Sequence, residues 1–121
     1  MKADPYAYAL HTVQLFTPVD DEVVPLTAVI RYPFENLDTH WLCAASISGL
    51  FHRKADLERD TPSAALKAAR AFLIDELSDY EARGGMLLNV KQEPVTDLRA
   101  LFPSQMFESA EEALSGLTRF E

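Results

Sequence analysis

Along the middle of the chain, apolar residues recur at steps of three and four. Leu66, Ala69, Leu73, Leu77 and Tyr80 fall on one stripe of a helix, and Ala65, Phe72 and Ile74 widen it. Lys67, Arg70, Asp75, Asp79 and Glu81 fall mainly on the other side. Both ends are marked. A Thr61 hydroxyl can accept from a free first-turn N–H, and Pro62 at the first helical position has no N–H to leave unpaired. Gly84-Gly85 stops the run, because glycine enters the left-handed C-cap conformation without a Cβ penalty. The spacing predicts a long helix over 61–84. Ala64, Ala65, Ala68, Ala69 and Ala71 raise its propensity and let another element approach closely.

Upstream the period shortens towards two. Residues 5–17 are rich in aromatic and β-branched side chains and read as a first strand ended by Pro18. Tyr6, Tyr8 and Leu10 share one face and Val13 and Leu15 the other, so a bulge near His11, or burial of both faces, is expected. Residues 18–25 read as a loop between Pro18 and Pro25, with Asp20, Asp21 and Glu22 at its tip. A second strand covers 26–34, with Leu26, Ala28, Ile30 and Tyr32 on one face and Pro33 at an edge or bulge. A third covers 40–48, with Trp41, Cys43, Ala45 and Ile47 facing the core. Residues 50–57 are a fourth strand, or the third continued past a bulge at Gly49.

Beyond the helix, 86–90 is a short apolar run able to add a strand, and 96–102 suggests a short helix. Ser109 followed by Glu112 is a capping-box pattern that opens a last helical segment with Leu114 and Leu117. Short links between early strands imply an antiparallel meander, and its apolar face needs a cover that only the long helix offers. The expected fold is α+β: a meander of three to five strands covered on one face by the helix. It forms a single domain over 1–121, with strands over about 5–57, the helix over 61–84 and short C-terminal helical segments within 86–121.

Charge narrows the partners. The formal net charge is −8, with acids in both halves of the chain. Such a field opposes sequence-independent nucleic-acid binding, which needs clustered Lys and Arg, and favours a basic protein partner. No apolar run approaches the ~20 residues of a membrane-spanning helix. The first residues, with Lys2 and Asp4 and no long apolar core, do not read as a secretory signal. The single cysteine, Cys43, fits a reducing compartment such as the cytoplasm.

No motif names a reaction, a cofactor or a metal. His40 and Cys43 are three apart, which in a strand turns them to opposite faces. Cys43 lies on the apolar side of its strand, as a small hydrophobe does, and Ser46 and Ser48 lack a nucleophile-elbow pattern. The Asp20-Asp21-Glu22 tip lacks the spaced oxygen ligands of a calcium loop, and four glycines leave no phosphate loop. Arg53, Lys54 and Arg59 make one small basic patch before the helix.

The segment His40-Trp41-Leu42-Cys43, the break Ile47-Ser48-Gly49 and the run Ser63-Ala64-Ala65-Leu66-Lys67-Ala68-Ala69 together resemble a group of small uncharacterised bacterial proteins. In these a Trp-x-Cys strand precedes an Ala-rich helix. The resemblance covers about residues 40–85 and carries no functional residues with it. Two expectations follow. The first is a bacterial binding protein without catalytic activity, an immunity protein or secretion-associated chaperone by analogy of size and charge, that engages a basic partner through Asp20, Asp21 and Glu22. The second is a small enzyme or ligand-binding domain with a pocket between sheet and helix, lined by Tyr6, Tyr8, His11, Tyr32 and Trp41. A filled core or a cavity with converging polar groups discriminates between them.

Overall fold

A computed structural model describes residues 9–35 and 40–103. Five strands form one antiparallel sheet: β1 (Ala9–Val19), β2 (Glu22–Arg31), β3 (Phe34–Glu35), β4 (Trp41–Gly49) and β5 (Arg53–Arg59). One long helix, α1 (Pro62–Ala82), packs across β4 and β5. A 3₁₀ turn at Leu98–Leu101 follows. The fold is α+β, as the pattern predicts, and Tyr6, Tyr8 and the helix expected after Ser109 lie outside the described residues.

The strands differ from expectation in instructive ways. β1 runs through Pro18 instead of ending there, and β2 begins at Glu22, so the loop between the prolines shrinks to the two-residue turn Asp20-Asp21. Pro18 lies opposite Val23 and Pro25 opposite Phe16, outside the residues that pair β2 with β4. The register shift between Ala9 and His11 is the expected bulge. Pro33 splits the predicted second strand: β2 and β3 both pair with β4, on the edge opposite β5, with the proline between them. A proline has no N–H for a ladder, so the break falls there. The fourth strand is separate, and 86–90 contributes only a bridge, with Leu88 and Phe16 exchanging backbone bonds of 2.7 and 2.9 Å.

The core follows the two periods. Val13, Leu15, Leu26, Ala28, Ile30, Cys43, Ala45 and Ile47 point from the sheet to the helix, which answers with Ala65, Leu66, Ala69, Leu73 and Leu77. Leu87 and Phe102 close the margins. Ala28, Ala45, Ala65 and Ala69 are all buried, and their small side chains let helix and sheet lie close. The cap at Thr61 forms as expected, its hydroxyl accepting from Ala64 N–H at 3.1 Å. At the other end Gly84 takes φ +99°, with Gly84 N–H bonded to the Glu81 carbonyl and Gly85 N–H to the Tyr80 carbonyl. Gly49 ends β4 at φ +129°, and any Cβ there would strike the Pro25 carbonyl of the neighbouring strand.

Candidate partner-binding site

The register brings three segments to one end of the sheet. Gly49 lies opposite Leu26, so the β4–β5 turn is at the end where β2 begins. Glu22 and the Asp20-Asp21 turn lie four residues further along β2, about 13 Å beyond that level at ~3.3 Å per residue. The helix starts after β5 leaves this end and returns to it, so its last turn arrives at the β4–β5 turn. Asp20, Asp21 and Glu22 are exposed, and Asp20 takes φ +56°, a conformation that aspartate tolerates better than most residues.

Where the helix meets the turn there is an open pocket of about 160 Å³, lined by Phe51, Arg53, Glu76, Asp79, Tyr80 and Arg83. Its floor is aromatic. The Phe51 and Tyr80 rings lie 5.4 Å apart at 39°. Tyr80 is held from behind: its hydroxyl bonds to that of Thr17, which is fully buried in β1, and its ring lies against Gly85. The rim is charged. Arg53 places its guanidinium 5.5 Å from the centroid of Phe51, with Nε 3.4 Å from Glu76 Oε2. Arg83 meets Asp79 at 3.0 Å one helical turn away. Asp79 and Glu81 occupy the last turn of α1, which holds no basic residue. The helix dipole is already negative there, so these acids add to an unfavourable local potential, which Arg83 at the C-cap relieves in part through Asp79.

The other candidates are dispersed. His11 Nε2 lies 2.6 Å from the Leu101 carbonyl and its ring meets Phe102 edge-on, so its contacts anchor the 3₁₀ segment. Arg70 Nε grips the same segment through the Phe102 carbonyl at 2.7 Å. Tyr32 is exposed beyond β2, and Trp41 packs half-buried against the core at the start of β4, far along the strand from Gly49. None of these three lines the pocket described above; among the described residues, sheet and helix meet through a buried apolar cluster that includes Ile30, Ile47, Leu66, Leu73 and Leu77. His40 lies 3.4 Å from both Glu58 and Asp60. The Cys43 thiol donates to the Arg31 carbonyl at 3.2 Å, and burial pushes its pKa from 9.0 up to about 12. Among the described residues, no three His, Cys, Asp or Glu converge to hold a metal ion, and no helix is long and apolar enough to cross a membrane.

Sequence reasoning placed Tyr80 in the core stripe, Asp79 on the solvent side and Arg53 in a basic patch, and did not join them. The available signal was the pair of acids in a last helical turn, where they oppose the dipole. No family model matches the chain, and neither a curated protein nor a solved structure was found similar to it.

Proposed function

We propose that this chain is a binding protein without catalytic activity that engages a basic protein partner through the end bearing Asp20, Asp21, Glu22, Glu76 and Asp79. The observation that carries the reading is the register, which brings the carboxylates of the hairpin turn to the same end of the sheet as the helix end, where Glu76 and Asp79 line an aromatic pocket. A net charge of −8 draws a basic partner in, and the carboxylates at this end orient the encounter. The apolar character of the residues buried between sheet and helix favours binding at the surface over chemistry in an interior site. Neutralisation of a basic toxin by an immunity protein and the holding of a secreted protein are two settings in which such a surface serves. The bacterial cytoplasm, where a lone thiol stays reduced, is the compartment we assign.

The test is chemical-shift mapping with a 20-residue Lys/Arg-rich peptide at low and high salt. We expect shifts centred on residues 19–23, 50–53 and 76–84, weakening as salt rises. Shifts spread evenly over carboxylates of the whole surface refute the reading.

A further inference from the structure

We infer that the pocket takes an arginine side chain of the partner, and that Arg53 occupies that place in the free protein. The inference rests on the binding function proposed above and names the group that this site recognises. The first ground is geometric. Phe51 and Tyr80 form an apolar wall on which a flat guanidinium and its methylene stem stack, and Arg53 already lies over Phe51. The second is the state of Glu76. Its side chain is 28% exposed, and Arg53 Nε, at 3.4 Å, is its partner in the structure. That separation is longer than a charge-assisted hydrogen bond of ~2.7–2.9 Å. An ionised carboxylate accepts at both oxygens, so Glu76 retains capacity for a bidentate donor. The third is exchangeability. The Arg53 side chain is 48% exposed, so it can swing into water while an incoming guanidinium takes over its ring and its carboxylate. Asp79 is held by Arg83 at 3.0 Å, and that pair is exposed on both sides, so Arg83 can give way as Arg53 does; the negative end of the helix dipole adds to the attraction. A lysine fits less well, because its ammonium is compact and strongly hydrated and makes neither the fork nor the stack.

The experiment uses the whole chain and three blocked tripeptides, acetyl-Gly-X-Gly-amide, with X arginine, lysine or the neutral isostere citrulline. Titrations are followed at the amides of Phe51, Arg53, Glu76 and Tyr80. The arginine peptide is expected to shift these amides and the citrulline peptide to leave them in place, with lysine weaker than arginine. Arg53→Gln removes the internal competitor and tightens arginine binding by about three- to tenfold, the worth of one exposed ion pair and one cation–π contact. Glu76→Gln weakens it by about tenfold, the worth of a charge-assisted hydrogen bond. Unchanged thermal melts of both variants exclude a folding defect. Equal responses to arginine and citrulline, or no tightening in Arg53→Gln, overturn the inference. If the tripeptides leave the pocket untouched while the longer basic peptide still maps to this end, the inference falls and the proposed function stands. If the longer peptide spreads over the whole surface, the proposed function itself falls.

Discussion

Leu73→Ala removes three carbons from the centre of the helix–sheet contact. Leu73 is fully buried, and so are its neighbours on the stripe, Ala69 and Leu77. At ~0.8 kcal/mol per buried carbon group, the transfer loss is about 2.4 kcal/mol. A cavity loss follows, because the opposing wall is a hydrogen-bonded sheet that cannot sink into the hole, and it adds about 1 kcal/mol. The sum, about 3–4 kcal/mol, is set against a total stability of roughly 6–18 kcal/mol for 121 residues at ~0.05–0.15 kcal/mol each. Urea unfolding followed through the fluorescence of Trp41, the single tryptophan, measures the change. The midpoint should fall with the slope unchanged, since the surface exposed on unfolding is nearly the same. Ala71→Gly on the exposed side of the same helix serves as the comparison, at about 1 kcal/mol from propensity alone. A loss below ~0.5 kcal/mol at Leu73 refutes the assignment of the stripe to the core, since buried leucine truncations cost ~2–5 kcal/mol.

Cys43 should react slowly with a thiol reagent in the native state at neutral pH and fast after denaturation, because burial raises its pKa to about 12; rapid native labelling contradicts the burial. The raised value means that the folded state holds this proton more tightly, so its contribution to stability is full below pH 9, declines as pH rises towards 12, and should vanish from the pH profile in Cys43→Ala. Tyr80→Phe should cost about 1–3 kcal/mol by stranding the buried Thr17 hydroxyl, and adding Thr17→Val should recover part of that loss in a double-mutant cycle; additive losses disprove the coupling. The triple change Asp20→Asn, Asp21→Asn, Glu22→Gln should leave the melting temperature equal or slightly raised, since three adjacent exposed carboxylates repel one another. It should also slow association with a basic partner and flatten the salt dependence of that rate; equal rates and slopes would leave the turn a solubilising feature.

The helix was legible in the sequence because its information is local. A 3.6-residue stripe, Thr61-Pro62 at one end and Gly84-Gly85 at the other fix its bounds to within two residues. The α+β class followed from the change of period and the short links, and the inward faces of β2 and β4 from alternation at Leu26, Ala28 and Ile30 and at Cys43, Ala45 and Ile47, although Ala44 between the last three is buried as well. Strand ends were misread wherever a proline stood. Pro18 and Pro25 looked like stops, yet a proline stops a strand only where its missing N–H is needed by a ladder. That depends on which residues a neighbouring strand reaches, and pairing is a tertiary fact. The site lay further from view. Glu76 and Tyr80 are one helical turn apart, but Phe51 is distant from both along the chain, and only the antiparallel return of α1 over β5 brings it to them. Alternation places Trp41 on its strand and extends the second strand to Tyr32, which lies just beyond β2; it carries no information on whether two strands end in the same pocket. The acids of the turn were readable as exposed; that they share an end of the molecule with Glu76 and Asp79 was decided by register, which the side-chain period leaves free in steps of two residues.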